Sequence, residues 1–119
     1  MILDGENEVV PDVVWISRSR FEGALDEQGH LRVAPELIVE VLSPGEANER
    51  RDRDLKLRLY SRVAVHDYWI VDWQSQRVDI FRREQDCLSL LETLASEDTI
   101  ETPLLPGFSC PVSRLWVSF

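Results

Sequence analysis

The sequence predicts an α/β fold in which a mixed central β-sheet is flanked by helices. An almost continuous apolar run at Glu36–Ser43 is typical of a strand buried on both faces. The segment Glu46–Val63 contains neither Gly nor Pro and is rich in Arg, Leu and Glu, which predicts a helix. A further strand pattern follows at Asp67–Trp73. This order of strand, helix and strand indicates a sheet with a helix packed on it.

Local composition predicts the other elements of the N-terminal half. β-branched and aromatic residues predict a strand at Val9–Ser17. Two glycines and an aspartate predict a loop or wide turn at Phe21–His30. The strand at Glu36–Ser43 ends at the sequence Ser43-Pro44-Gly45, because proline and glycine interrupt regular structure.

The C-terminal half is expected to continue with a hairpin. Its two strands are Arg77–Arg83 and Leu88–Leu94, around a turn at Glu84-Gln85-Asp86. Three prolines and a glycine predict a loop at Thr102–Pro111, and Val112–Trp116 is expected to form a terminal helical turn. Because no linker or repeat interrupts the pattern, residues 1–119 are expected to form a single domain.

Composition and charge restrict the possible functions. The chain has 119 residues and a net charge of -9, which argues against a general nucleic-acid coat protein, since such proteins present a positive surface. The charge does not exclude a nuclease, because a carboxylate-rich metal site is itself negative. No apolar run approaches the ~20 residues that span a bilayer, and the acidic start lacks the pattern of a signal peptide. A cytoplasmic location is therefore expected.

The cysteines and histidines do not indicate a metal site. Cys87 and Cys110 are far from each other in sequence, and neither His30 nor His66 has a partner at ligand spacing. The simplest interpretation of the cysteines is two buried, reduced thiols.

Two acids interrupt apolar strands. Asp12 follows Pro11 among valines, and Glu40 lies deep in the run Glu36–Ser43. Because side chains alternate along a strand, Glu36 and Glu40 share one face of it. A buried carboxylate is costly unless a cation or a base pairs with it. Asp12 and Glu40 are therefore candidate site residues, with Glu36 in a supporting place.

The predicted helix supplies a candidate base. At about 100° per residue, one stripe contains Lys56 together with apolar residues, so Lys56 is expected to face the sheet. The full stripe consists of Asp52, Leu55, Lys56, Leu59, Tyr60 and Val63. Lys56 is also the only lysine, since the other twelve of the 13 basic residues are arginines. Lysine and arginine differ in shape and hydration, so a lone lysine in so biased a composition is informative.

Together, Asp12, Glu40 and Lys56 are the residue types of a metal-dependent catalytic site. Two carboxylates from neighbouring strands can hold a hard divalent cation, Mg²⁺ or Mn²⁺. Such a metal polarises a phosphate and lowers the pKa of an attacking water. A nearby lysine can orient that water or stabilise charge at phosphorus. The sequence therefore predicts a metal-dependent phosphodiesterase site.

Five sequence blocks resemble the Uma-two family, whose members are described as restriction endonucleases. The resemblance covers about residues 8 to 117, and the blocks occur in the family's order and spacing. They are PDVVWIS, APELIVEVLSP, RDRDLKLRLY, DYWIVD and PLLPGFSCPVSRLW. The family belongs to the PD-(D/E)XK nuclease superfamily, so the resemblance implies a restriction-endonuclease-like fold and Mg²⁺-dependent cleavage of DNA.

The resemblance also implies roles for individual residues. Asp12 matches the Asp of the PD half-motif, and Glu40 matches the acid of the second half, so both are the implied metal ligands. Leu42 stands where the superfamily's lysine usually falls, and Lys56 is implied as a lysine that has migrated onto the following helix. Four further residues match recurring family positions and are implied to support the site: Asp52, Tyr60, Tyr68 and Asp72.

The chain departs from the family pattern at its N-terminus. Family members usually carry one or more helices before the PD strand, whereas only eleven residues precede Asp12. The N-terminal helical region is therefore expected to be short or missing, which removes any acid it supplies. One face of the sheet could then be left uncovered unless a second subunit covers it, which favours a homodimer.

Alternative interpretations stay open from the sequence alone. Glu40 and Lys56 could form a structural ion pair without metal. The arginine-rich helix could be a solvated face rather than a DNA contact. On the same fold, the chain could be a non-catalytic dimeric module that binds nucleic acid or protein.

Overall fold

A five-stranded mixed sheet is the centre of the fold. The computed structural model describes residues 1–3, 7–8, 11–42 and 49–116, with the backbone alone at 7, 8 and 49–52. The main sheet consists of β3 (Val13–Trp15), β4 (Leu37–Val41), β5 (Asp67–Asp72), β6 (Arg77–Glu84) and β7 (Cys87–Leu94). Shorter elements are β1 (Ile2–Leu3), β2 (Asn7–Glu8), α1 (Arg18–Phe21), α2 (Glu49–Arg62), β8 (Thr99–Ile100), β9 (Cys110–Pro111) and a 3₁₀ turn at Val112–Leu115.

The strands lie in the order β3-β4-β5-β6-β7. Only β4 and β5 run parallel, whereas the other neighbouring pairs are antiparallel. Parallel neighbours need a crossover connection, and α2 supplies it between β4 and β5. The predicted mixed sheet with a helix packed on it is therefore confirmed. Among the described residues, none of the helices has both the length and the apolar character needed to cross a membrane.

Both faces of the sheet bury apolar side chains. On the face that α2 covers, Ile38, Tyr68 and Ile70 pack with Leu59 and Tyr60 of the helix. On the opposite face the core is formed by side chains of β4 to β7 and of the C-terminal segment: Leu37, Trp69, Val71, Val78, Ile80, Leu94, Ile100 and Val112. The C-terminal segment therefore contributes to the cover of the face opposite α2. Exposed apolar side chains remain near the β3 edge, at Val13, Val14 and Val41.

The β3 strand is shorter than predicted. Regular pairing covers Val13–Trp15, and residues 9 and 10 lie outside the described part of the chain. The predicted loop after it begins with the single helical turn α1 and closes through a bridge between Leu25 and Leu31. The predicted ends of the next strand and helix, Ser43 and residues 46–48, also lie outside the described residues.

The C-terminal hairpin was predicted correctly. β6 and β7 pair in register on both sides of a bulge at Ile80/Phe81, and the turn contains Gln85 with a φ of 60°. The predicted loop at 102–111 ends in β9, which pairs with β8. One expectation was wrong: Cys87 is exposed rather than buried, because it follows the hairpin turn directly, and Cys110 is half-buried. Both are free thiols.

At the C-terminal end of helix α2, the last carbonyl groups accept hydrogen bonds from a side chain of the sheet. Arg83 donates hydrogen bonds through Nη2 to the carbonyl oxygens of Tyr60 (3.2 Å) and Ser61 (2.8 Å). Ala64 then adopts a left-handed conformation with a φ of 66°. A cationic side chain at a helix C-terminus donates hydrogen bonds to carbonyl groups that lack a partner in the helix, and it interacts favourably with the helix dipole. This contact fixes the end of α2 on β6, and so sets which helix residues face the sheet.

The predicted stripe of α2 is partly wrong. Lys56, Leu59 and Tyr60 face the sheet as expected, but Leu55 is 55% exposed. Leu57 packs against the core in its place. The sheet-facing stripe includes Arg53, which pairs with Asp79 of β6. A prediction based on hydropathy assigns arginine to the solvent-facing side of a helix. The predicted stripe was therefore rotated about the helix axis relative to the observed one.

A buried acid fixes the start of β5. Asp67 is fully buried and accepts two hydrogen bonds from Arg82, at 3.0 and 2.9 Å, and one from Thr102 at 3.0 Å. Trp69 donates a further bond at 3.2 Å, and His66 Nδ1 lies 2.6 Å away. Burial raises the pKa of Asp67, but the bonds and charge of Arg82 outweigh it, so the pKa lies below its usual value of 3.8.

We expect this lowered pKa to make stability depend on acid pH. Because the folded-state pKa of Asp67 lies below the unfolded one, its contribution is complete above about pH 5 and is lost as pH falls through the folded-state pKa. Arg82→Ala should lower the free energy of unfolding at neutral pH by about 3 to 5 kcal/mol, since it leaves a buried charge unpaired. It should also weaken the dependence on acid pH. Urea unfolding from pH 7 to pH 2 measures both.

The matched control is Arg77→Ala, which changes an exposed arginine on the same strand. It should change the free energy of unfolding by no more than about 0.5 kcal/mol. Equal destabilisation by the two substitutions would contradict the assigned role of Asp67 and Arg82.

Candidate active site

Three predicted site residues lie around the C-terminal end of β4. Glu40 is the fourth residue of this strand and is only 8% exposed. Its side chain shares the face of Ile38, which α2 covers, because residues two apart point to the same side. The central position of β4 explains why the sequence there is so apolar, and it is what buries this carboxylate.

Three side chains donate hydrogen bonds to the Glu40 carboxylate. Lys56 Nζ lies 3.0 Å from Oε2, and the Tyr68 hydroxyl donates to the same oxygen at 3.3 Å. The Tyr60 hydroxyl donates to Oε1 at 3.2 Å. The two tyrosine rings meet edge to face, with their centroids 5.0 Å apart. Glu40 is thus held by a helix and by the neighbouring strand at once.

Lys56 reaches Glu40 because α2 presents it toward the sheet. Lys56 and Tyr60 are four residues apart, which places them on one face of the helix, and both contact Glu40. The Lys56 side chain is 27% exposed and that of Glu40 is 11% exposed, so the pair lies at the rim of the core. The sequence allowed two interpretations of Glu40 and Lys56, a structural ion pair or a catalytic pair. The observed contact between them is compatible with both.

Asp12 lies beside the last residues of β4. Its Oδ2 atom accepts a hydrogen bond from the backbone N–H of Val41 at 2.7 Å. The β3–β4 pair aligns Val13 with Val39, so the next position along the pair sets Asp12 opposite Glu40. Asp12 is exposed, and among the described residues its Oδ1 atom accepts no hydrogen bond. One oxygen of Asp12 therefore fixes the strand end while the other faces solvent.

Glu36 lies at the other end of β4, away from this cluster. It is four residues from Glu40 along an extended strand, a separation of about 13 Å. Its carboxylate accepts a hydrogen bond from the Ser17 N–H at 3.1 Å and lies 3.7 Å from Arg20. Partial burial raises the pKa of Glu36, but the bonds from Ser17 and the charge of Arg20 hold it below its usual value. Its observed partners anchor the α1 turn.

Two other residues implied by the resemblance have different outcomes. The side chain of Asp52 lies outside the described part of the chain. Asp72 uses Oδ1 to accept hydrogen bonds from the N–H groups of Gln74 and Ser75, at 3.2 and 3.3 Å. Asp72 therefore stabilises the turn between β5 and β6.

The sequence reasoning missed a second polar group on the same face of the sheet. Arg53 Nη2 lies 3.3 Å from Asp79 Oδ2, and the Thr93 hydroxyl donates to Asp79 Oδ1 at 2.7 Å. The signal was present in the alternation of β6, where Asp79 stands between the buried Val78 and Ile80 and so faces the helix.

The donor set at the site suits a hard cation. Asp12 offers a solvent-facing carboxylate oxygen, and Glu40 offers a second carboxylate on the adjacent strand. Mg²⁺ is commonly held by one or two carboxylates, with water and substrate phosphate completing its six ligands. Within the part of the chain that the structure describes, no three Asp, Glu, His or Cys side chains converge on one point. The described donor set therefore fits a metal with two protein carboxylates, whose other ligands solvent and substrate could supply.

Comparisons with known proteins agree with this architecture. A family model described as "Uma2: Putative restriction endonuclease" matches residues 1–113. No curated protein sequence is significantly similar to the chain.

A solved structure shares the fold. The crystal structure of a "putative nuclease belonging to DUF820" from Anabaena variabilis ATCC 29413 aligns with a TM-score of 0.59 and 21% identity. The alignment covers 92% of this chain and 56% of that one, so the chain spans little more than half the length of this neighbour. The likeness confirms the predicted restriction-endonuclease-like fold.

We expect the tyrosine hydroxyls to stabilise the folded protein through Glu40. Tyr68→Phe should lower the free energy of unfolding by about 1.5 to 3 kcal/mol, because hydrogen bonds to a charged group are stronger than neutral ones. In a double-mutant cycle with Glu40→Gln, the two effects should not add. Urea unfolding of the four proteins measures the coupling. Additive effects would show that the hydroxyl acts independently of Glu40.

Proposed function

The chain belongs to the Uma2 family, and from this membership we propose that it is a metal-dependent endonuclease that hydrolyses phosphodiester bonds in DNA. The observation that carries the proposal is the meeting of Lys56 with Glu40 beside Asp12, at the end of β4. Residues distant in sequence supply two carboxylates and one ammonium at a rim open to solvent.

Asp12 and Glu40 are the proposed ligands of Mg²⁺ or Mn²⁺. When bound, the cation would polarise the scissile phosphate and lower the pKa of the attacking water. Asp12 can offer Oδ1 without releasing the Val41 N–H from Oδ2. Glu40 is kept in one orientation by the hydroxyls of Tyr60 and Tyr68, so its oxygens stay directed to the rim.

Lys56 is the proposed group that contacts the reacting phosphate or the attacking water. Its ammonium lies against Glu40, where it can donate a hydrogen bond to a water or to a phosphate oxygen. As charge builds on the phosphate oxygens, an ammonium already fixed nearby stabilises it without reorganising. No nucleophilic side chain is required.

The charges impose an order on binding. Counted over the described side chains of the site, two carboxylates and one ammonium leave one negative charge, which attracts a divalent cation and repels phosphate. With the cation present the site becomes positive. We therefore propose that the metal precedes, or arrives with, the DNA phosphate.

Purified protein is expected to nick or cut DNA in the presence of Mg²⁺ or Mn²⁺. Asp12→Ala and Lys56→Ala should each lower the cleavage rate by about 10²-fold or more, because each removes a charge that acts on the transition state. Plasmid relaxation and linearisation measure the rate. Glu36→Gln is a matched control, since its partners lie at the other end of β4. Cleavage by both Ala variants at the wild-type rate would refute the assignment.

Metal affinity provides a separate prediction. Lys56→Met should bind Mn²⁺ at least about fivefold more tightly than the wild type, since it removes the ammonium that competes for Glu40. The same variant should lose cleavage. Isothermal titration calorimetry measures the affinity, and Glu40→Gln should abolish the binding. An unchanged or weaker affinity in Lys56→Met would mean that Glu40 is not a ligand.

One observation favours a second candidate, a non-catalytic module that binds nucleic acid or protein on the same fold. Both oxygens of Glu40 already accept hydrogen bonds, so the carboxylate is satisfied by protein groups alone. This candidate predicts a homodimer by light scattering, no heat of Mn²⁺ binding and no cleavage. Mn²⁺ binding that depends on Glu40 would count against it.

A further inference from the structure

A second cation on α2 lies beside the proposed active site. Arg53 and Lys56 are three residues apart, so they project from the same side of the helix. Each pairs with an acid of the sheet: Lys56 with Glu40 at 3.0 Å, and Arg53 with Asp79 at 3.3 Å.

The two acids stand at the same level across the sheet. In the register of the strands, Glu40 pairs with Ile70, Ile70 with Asp79, and Asp79 with Thr93. Residues that pair directly across strands share a face, so this row runs beneath α2. Glu40 and Asp79 are two strand spacings apart, which is about 10 Å. The two cation–acid pairs thus follow one line across the sheet.

The Arg53–Asp79 pair is more exposed to solvent than the Lys56–Glu40 pair. The Arg53 side chain is 35% exposed and that of Asp79 is 26% exposed, against 27% and 11% for Lys56 and Glu40. Thr93 fixes Asp79 with a short 2.7 Å bond, whereas Asp79 holds Arg53 through a single 3.3 Å contact. A guanidinium carries five N–H donors, and within the described residues only one nitrogen of Arg53 has a protein partner, Asp79.

We infer that Arg53 binds a DNA phosphate next to the scissile one; this inference rests on the proposed nuclease function. The planar guanidinium matches two phosphate oxygens, and its position three residues before Lys56 on the same side of α2 places it next to the group that would contact the scissile phosphate. Asp79 and Thr93 are positioning residues: Thr93 fixes Asp79, and Asp79 holds a guanidinium whose side chain is 35% exposed.

A purely structural ion pair accounts poorly for this arrangement. Partly exposed pairs contribute about 0 to 1 kcal/mol to stability. Beside these two cations, Leu57 and Tyr60 of α2 pack into the apolar core. Thr93 fixes Asp79, and Asp79 holds Arg53 at this point. A ligand that needs the charge and the planar donor geometry of the guanidinium explains this arrangement better.

The test is the salt dependence of DNA binding. A fluorescein-labelled 20-base-pair duplex is titrated with protein in Ca²⁺, which replaces Mg²⁺ to suppress cleavage, at a series of KCl concentrations. Loss of one phosphate contact should lower the slope of log Kd against log[KCl] by about 0.9. Arg53→Ala should show this change and weaken binding about five- to tenfold at low salt.

Two matched variants sharpen the result. Arg58→Ala removes an exposed arginine from the outer side of the same helix, and it should leave the slope unchanged. Arg53→Lys keeps the charge but not the fork, so it should keep the slope and lose about twofold in affinity. It also keeps the test decisive if Arg53→Ala does not fold, because an Arg53→Lys affinity equal to that of the wild type would overturn the inference.

The outcomes separate this inference from the proposed function. If Arg53→Ala and Arg58→Ala have the same slope, or if the wild type binds no DNA at any salt concentration, the Arg53 contact is overturned. A wild type that cuts DNA while the two slopes agree loses only the Arg53 contact. A wild type that binds DNA through Arg53 but never cuts it loses only the nuclease function.

Discussion

The burial of the Glu40 carboxylate is the constraint on which the site and much of the core depend. A charge on the covered face of a central strand must be matched by donors, because an unpaired buried charge would cost far more than a small domain can supply. The fold meets this need with Lys56 and Tyr60 from α2 and Tyr68 from β5. The same contacts set the rotation of the helix and join it to two parallel strands, so the site is part of the architecture.

A second buried acid shows what a purely structural carboxylate looks like in this chain. Asp67 has a bidentate arginine and further donors from Thr102 and Trp69, and it is completely enclosed. Glu40 is paired with a lysine instead and keeps a solvent-facing rim. An ammonium makes a point contact that can be exchanged, whereas a guanidinium fork fixes both oxygens. This difference in cation separates the fully enclosed Asp67 from Glu40, for which the proposed function requires an exchange of partners.

The sequence was informative where one physical rule dominated. Strand alternation indicated that Glu40 shares a face with Ile38, and helix phase indicated that Lys56 faces the sheet; the contact between Lys56 and Glu40 agrees with both. The rule failed for Leu55 and Arg53, because helix phase was judged from hydropathy, and a salt bridge across 26 residues is invisible to a local pattern. Glu36 does not join the Glu40 cluster and contacts Ser17 and Arg20 instead, because a shared face does not bring residues at opposite ends of a strand together. The saturated network around Asp67 was missed because its donors come from β6 and the C-terminal loop.

The hydrogen bond from the Val41 N–H to Asp12 gives this side chain a structural contact beside its proposed role as a metal ligand. It takes the place of a main-chain acceptor where β3 has not yet begun to pair regularly with β4. Glutamate, one methylene longer, would carry the same charge but would not reach the amide in the same geometry. Asparagine could accept the hydrogen bond but would lack the charge. The backbone contact thus requires a short side chain with an acceptor oxygen, the proposed metal site requires a negative charge, and aspartate meets both requirements.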